Sequence, residues 1–211
     1  MQERFSGGFD SPLGKIRIEA LNGKITLLIF ENQRFAPESA AVCRKGGTEG
    51  DRGESEDKTG SGASECAVKS AIRWLEEYFS GAVPPFTPPL SFEGATAFRR
   101  KVWDRLLLIP YGKTATYGEI AADVFRGTGK KPSARAVGGA IGHNPIAVIV
   151  PCHRVLAPDG NITGYGGGLR RKTALLRLEK ALPAGFYMPP DAEKWQPYDS
   201  LNQSVFGDEN N

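Results

Sequence analysis

The dipeptide Asn22-Gly23 limits the fold of this chain more than any other short feature. It lies between two strand-like runs, Lys15–Ala20 and Lys24–Phe30, in "GKIRIEALNGKITLLIF". A two-residue hairpin loop that matches the twist of its strands needs positive φ at both central positions, and Asn and Gly adopt it at least cost. The N-terminal end is therefore predicted to be antiparallel β structure. The next segment cannot extend that sheet. From Ala36 to Ser64 the chain is rich in Gly, Ser, Glu, Asp and Lys, with almost nothing to bury, and it reads as a loop or insertion.

Beyond it the period changes. In "SECAVKSAIRWLEEYFSG" Val68, Ile72, Leu75 and Phe79 recur at helical spacing, and Gly81 supplies a stop. Cys66, at the start of this helix, reads as a small buried hydrophobe. "VPPFTPPLSF" reads as a connector, with a domain boundary near residue 90. Phe98, Val102, Leu106 and Ile109 mark a second helix that Pro110-Tyr111-Gly112 ends. A short third helix runs from about Thr116 to Val124. A loop with Gly127, Gly129 and Pro132 then leads to a fourth, capped by Ser133. "AVIV" reads as a strand that Pro151 stops, because Pro cannot donate a ladder bond, and "LRRKTALLRLEKAL" reads as the last helix. The expected fold is α+β. Residues 1–90 form a sheet-and-helix domain with an insert at about 36–64, residues 91–182 a mainly helical domain, and 183–211 a loose polar tail.

Composition narrows the class. No apolar run approaches the length a bilayer needs, and no basic start leads into an apolar signal segment. The three cysteines, Cys43, Cys66 and Cys152, are odd in number and irregularly spaced, which is not a disulfide framework. The expectation is a soluble, intracellular protein, cytoplasmic in a prokaryote and nuclear in a eukaryote. The net charge of +3 hides a split. From Glu93 to Leu182, 15 Lys or Arg stand against 6 Asp or Glu, a balance of +9, while the remainder carries 12 against 18, or −6. A basic half suits a polyanionic partner, although an ordinary solvated surface would look the same.

The third and fourth helices, joined by a Gly-containing turn, fit a helix-turn-helix, a pattern that is weak evidence alone. The fourth, "SARAVGGAIGHN", is more telling. Ala134, Ala136, Gly138, Gly139 and Ala140 are all small, and each Gly costs roughly 1 kcal/mol of helix stability relative to Ala. Close packing on another helix would offset that cost, and so would close approach to a ligand backbone. Arg135 is the single long charge on this smooth surface, suited to entering a base stack or holding a phosphate.

In "AVIVPCHRVL" Cys152 and His153 stand side by side, in a chain with two histidines. Three readings are open: a buried structural thiol beside a hydrogen-bonded histidine, a metal site, and a nucleophile with its base. A metal site would have to gather Cys43, Cys66 and His143 from far apart without any close ligand pair, so no metal is expected. Glu179 favours the nucleophile. It lies at the edge of the last helix's apolar stripe, where a carboxylate needs a partner. His153 would serve, with Glu179 fixing its tautomer as the orienting acid of a hydrolase triad does. Neighbouring side chains rarely bond each other directly, so a bridging water would pass the thiol proton to His153.

"PCHRV", preceded by "IGHNPIAVIV" and followed by "GNITGYGGGLRRKTALLRLE", strongly resembles the O6-alkylguanine-DNA alkyltransferases. The likeness runs from about Thr96 to Glu179 and takes in "FRRKVWDRLLLIPYGKTATYGEIA" and "ARAVGGA", with "SPLG" near the N-terminus. The resemblance implies that Cys152 accepts the alkyl group, His153 is its water-linked base and Glu179 the acid behind it. Asn144 would tie the recognition helix to the active-site turn. Tyr117 would touch the turned-out nucleotide and aid departure of the base. Arg135 would fill the gap left in the duplex, and Gly118, Ala134, Ala136 and Gly138 would lie against the DNA. Pro151, Val155, Tyr165 and Gly166 would line the guanine pocket.

The partner so implied is double-stranded DNA carrying alkylated guanine. The protein would act as a monomer, without a membrane and without a cofactor, and each molecule would act once. The loop "DVFRGTGKKPS" is longer than compact members of the family lead one to expect. Two rivals are weighed against this. A non-catalytic reader of damaged DNA would lack the cysteine that is present here, and a Cys-His-Glu hydrolase would turn over repeatedly on a DNA-free ester.

Overall fold

The computed structural model describes residues 2–34, 62–183 and 185. Three antiparallel strands open the chain: β1 (Arg4–Ser11), β2 (Gly14–Leu21) and β3 (Lys24–Phe30), in the order β1-β2-β3. The expected hairpin joins β2 to β3, and Asn22 and Gly23 take φ values of 47° and 74°. Strand β1 is an addition to the sequence reading. "RFSGGFDS" is mostly exposed and carries no apolar alternation. Gly7 has a packing reason, because a Cβ there would come within 2.8 Å of Val68.

Helix α1 (Ala63–Phe79) covers the sheet with Ala67, Val68, Ala71, Trp74, Leu75 and Tyr78, the i, i+3, i+4 stripe of a half-buried helix. Its first turn docks on the hairpin, where Ser64 Oγ accepts from Gly23 N at 3.0 Å and donates to Glu3 O at 3.0 Å. Ala63 and Ser64, at the end of the expected insert, are therefore helical; residues 36–61 of that insert and the tail beyond 185 lie outside the described residues. Cys66 corrects the sequence reading. It falls between the stripe positions and is exposed.

The second half begins with α2 (Ala97–Leu107), capped by Thr96, and continues through the two-residue strand β4 (Ala115–Thr116) into α3 (Tyr117–Phe125). Thr116 and Glu119 form a capping box at the start of α3, and Ser133 caps α4 (Ala134–Gly142). Trp103 on α2 donates to Ala140 O at 2.9 Å, which sets α2 against the small-residue helix. The chain then reaches a 3-10 turn (Cys152–Arg154), strand β5 (Val155–Leu156) and α5 (Leu169–Leu178). Among the described residues no helix is long and apolar enough to cross a membrane.

The "AVIV" run is not a strand. Residues 147–150 are coiled in turns, with Ile149 N on Ala147 O at 2.8 Å and Val150 N on Ile146 O at 3.1 Å, and Val148 takes φ 67°. All four are buried, so nothing in their polarity distinguishes a strand from a folded plug. One point of the lead-in does pair with the sheet. Leu28 on β3 donates to Pro145 O at 2.8 Å and accepts from Ala147 N at 2.6 Å. Farther up the same edge Ile25 donates to Pro89 O and accepts from Ser91 N, so the connector and the segment leading to Cys152 together cover β3. One buried cluster runs through both halves, from Leu13 and Ile16 to Val150, Cys152 and Leu175.

Candidate active site

Pro151 ends the buried plug, and Cys152, His153 and Arg154 follow in a single 3-10 turn. In such a turn consecutive side chains do not point to opposite faces, as they would on an extended strand. Parallel pairing of Ala115 with Val155 and of Thr116 with Leu156 then ties the turn to the start of α3.

Asn144 holds the sulfur. Its Nδ2 donates to Cys152 Sγ at 3.1 Å and to Val150 O at 2.9 Å, while Oδ1 accepts from Ile146 N at 3.0 Å. One side chain just beyond α4 therefore shapes the plug and touches the thiol. Cys152 is 6% exposed. Burial pushes its thiol up, against the Asn144 hydrogen bond, the nearby Lys172 charge and the turn's own backbone N–H groups.

His153 is fully buried and donates Nε2–H to Glu179 Oε1 at 2.8 Å. Burial lowers its pKa, favouring the neutral ring, with Glu179 pulling the other way. That bond assigns the proton to Nε2 and leaves Nδ1 with a free lone pair; Nδ1 has no partner among the described residues. Glu179 is the C-cap of α5 and is itself 2% exposed. It also accepts from Arg154 Nε at 2.8 Å and Nη2 at 3.0 Å, from Tyr78 OH at 2.6 Å and from Gly112 N at 3.3 Å. Burial alone would raise this carboxyl. The bonds and charges of His153 and Arg154 outweigh it and hold it at about 2.

The remaining residues named from the sequence fall into two groups. Tyr117 and Tyr165 stand near enough to Cys152 for its charge to act on them, Val155 shares its buried cluster, and Gly166 lies against Arg34. Tyr117 OH donates to Thr163 O at 3.3 Å, and burial together with Cys152 pushes the phenol up to about 12. A Cβ on Gly164 would sit 2.7 Å from that hydroxyl, which accounts for a glycine there at φ 65°. Val155 is fully buried, and Tyr165 stands edge-on to His153 with ring centroids 6.5 Å apart. Arg135, Ala134 and Ala136 form an exposed group apart from the thiol on the first turn of α4. Gly118 is exposed at the start of α3, and Gly138 lies against the Tyr117 ring.

Three residues escaped the sequence reading. Arg154 braces Glu179 and donates Nη1 to Ile109 O at 2.6 Å; its place beside His153 was the one available signal. Tyr78 looks like an ordinary core aromatic of α1. Lys172 sits fully buried in α5, with Nζ 2.5 Å from Val155 O and 2.7 Å from Thr163 O, and burial lowers it to about 7. Among the described residues, no three His, Cys, Asp or Glu side chains come together as a metal would need.

Known proteins fit this geometry. Residues 97–181 match the family model described as 6-O-methylguanine DNA methyltransferase, DNA binding domain. The chain is 40% identical over 172 residues to the methylated-DNA–protein-cysteine methyltransferase of Mycobacterium bovis, spanning 82% of this chain and 90% of that protein. The corresponding Haemophilus influenzae protein is 39% identical over 175 residues, with 82% and 84% covered. Among solved structures, Mycobacterium tuberculosis OGT in complex with DNA superposes with a TM-score of 0.64 at 39% identity, covering 83% of this chain and 93% of that one. The O6-methylguanine-DNA methyltransferase of Pyrococcus kodakaraensis gives 0.51 at 29% identity, covering 84% and 99%. With Cys152 and His153 on one turn and Glu179 bonded to His153 from the end of α5, this α+β chain belongs to the methylated-DNA–protein-cysteine methyltransferase family of DNA repair proteins.

Proposed function

We propose that this protein binds double-stranded DNA, turns an O6-alkylguanine out of the helix and moves its alkyl group irreversibly to Cys152. O4-alkylthymine is taken as a second substrate. Residues 91–182 carry the DNA contacts and the transfer, and residues 1–90 support them. The protein works as a monomer where the genome is kept, in the cytoplasm of a prokaryote or the nucleus of a eukaryote. The single observation that carries this reading is the buried chain Glu179–His153, whose free Nδ1 lone pair belongs to the residue next to the Asn144-bound sulfur.

A lesion oxygen inside stacked DNA is out of reach, so the nucleotide must leave the duplex at a cost of a few kcal/mol. Arg135, exposed on the first turn of α4, offsets part of that cost by filling the gap. The small surface of Ala134, Ala136 and Gly138, with Gly118 on α3, lets the helix pair approach the backbone. Pro151, Val155, Tyr165 and Gly166 then receive the base. The Cys152 proton passes through a bridging water to His153 Nδ1, and Glu179 stabilises the resulting imidazolium. Sulfur attacks the alkyl carbon, the carbon–O6 bond breaks, and the departing guanine takes up a proton with Tyr117 assisting. The step balances without a cofactor. Its product is a thioether, which offers water no carbonyl to attack, so each molecule reacts once.

Intact mass after incubation with methylated duplex DNA tests the reading. The expected gain is one methyl group, on the Cys152 peptide alone, with none in Cys152→Ala, which still binds DNA. Methyl transfer in the Ala variant, or repeated turnover, would overturn it.

A further inference from the structure

The reaction above makes no use of Arg171, yet this guanidinium is 2% exposed in the middle of the molecule. A buried cation is costly unless neighbouring groups compensate it, so its partners show what the position does. Nε donates to Leu13 O in the β1–β2 turn at 2.8 Å, and Nη1 donates to Gly167 O at 3.0 Å. The guanidinium carbon lies 4.6 Å from the centre of the Phe30 ring. One side chain from α5 thus joins the N-terminal sheet to residues 165–168, the loop that carries Tyr165 and Gly166.

The same loop is held from a second point of the sheet. Arg34, just past β3, donates its backbone N–H to Gly166 O at 2.8 Å. Three glycines mark how close these parts come. A Cβ on Gly14 would lie 3.0 Å from Arg171 Nη2, and one on Gly166 would lie 3.2 Å from Arg34 O. One on Gly167 would lie 2.7 Å from the Tyr165 ring and 3.4 Å from Phe30. Lys172, the next residue, points instead at Val155 O and Thr163 O.

We infer that Arg171 is a positioning residue of the base pocket: it fastens the 165–168 loop to the N-terminal sheet, so the sheet sets where Tyr165 and Gly166 stand. The inference rests on the assignment of those two residues to the pocket wall. A loop released from the sheet widens the pocket while the Asn144–Cys152 and His153–Glu179 hydrogen bonds, none of which the loop makes, stay in place. Its signature is therefore weaker capture of the base with unaltered chemistry at Cys152.

The test uses the full chain with free O6-benzylguanine and follows benzyl transfer to Cys152 by mass against substrate concentration. Arg171→Met is expected to raise the half-saturating concentration about tenfold while the maximal rate stays within about twofold. Capture of Cys152 by iodoacetamide, which needs no base pocket, is expected to match the wild type. Arg171→Lys should recover most of the loss, and Gly166→Ala, which pushes the loop off Arg34 O, should reproduce it. An unchanged half-saturating concentration in Arg171→Met overturns the inference alone. So does a matching fall in maximal rate and iodoacetamide capture, which marks general loss of packing. If the wild type itself takes no benzyl group, the pocket assignment fails and the inference falls with it.

Discussion

A single carboxylate organises the reactive turn. Glu179 gathers donors from four residues that lie as far apart in the chain as Tyr78 and Arg154, all aimed at one buried point. Its carboxyl is held at about 2 against an ordinary 4.5. The native state therefore favours the ionised form, and this contribution is complete above pH 4.5 and lost as the pH falls toward 2. The size is on the order of 3 kcal/mol. Glu179→Gln should lower stability at pH 7 by roughly 3–5 kcal/mol, because Arg154 is left buried without its counter-charge. Urea titrations of this variant should also show a flatter acid limb between pH 4.5 and 2; an acid limb as steep as the wild type's would assign that dependence to other carboxylates. Cys152, His153, Asn144 and Glu179 could be picked out from the sequence because their residue types carry chemistry and their motif resembles a known family. Tyr78 and Lys172 could not, since each sits in a helical stripe and takes its meaning from partners on other elements.

At the scale of elements, helices and turns with strong end signals were legible, and buried short segments were not. The Asn22-Gly23 hairpin and the Ser133 cap stand where the residues called for them, and the third helix starts beside Thr116 as expected. The 147–150 plug was misread because four buried apolar residues have no polar face to reveal a period. Helix α5 ends in a way the sequence hides. Lys180 takes φ 54°, its N–H donates to Arg177 O at 2.9 Å, and Ala181 N donates to Leu176 O at 2.8 Å. This is the left-handed closure usually given to glycine. A non-glycine residue there costs about 1 kcal/mol, part of which a glycine returns in the unfolded chain. Lys180→Gly should therefore stabilise the protein by roughly 0.5 kcal/mol in denaturant midpoint measurements. A loss of stability would mean that the Lys180 side chain contributes more than its backbone strain costs.

The whole molecule does not come apart where the composition changes. The basic half holds Cys152, His153 and Glu179, but Tyr78 from α1 reaches Glu179, and Arg171 reaches back to the β1–β2 turn. The buried cluster is continuous across the connector. Calorimetry of the full chain should accordingly show one transition with equal calorimetric and van't Hoff enthalpies. Two resolved transitions would mean that these contacts are too weak to couple the halves. The sequence could not announce this coupling, since the linking residues are single polar side chains and backbone groups rather than a patterned surface.

The pairing of Leu28 with residues 145 and 147 has a bearing on chain length. Strand β3 acts as a ruler, and the sulfur stands a set number of residues from the last mark on it. Lengthening or shortening by one the four residues between position 147 and Cys152 would shift the sulfur away from Asn144 or pull a mark off the ruler. The exposed stretch at residues 126–132 bears no such gauge, so over evolutionary time length variation should gather there and spare the approach to Cys152.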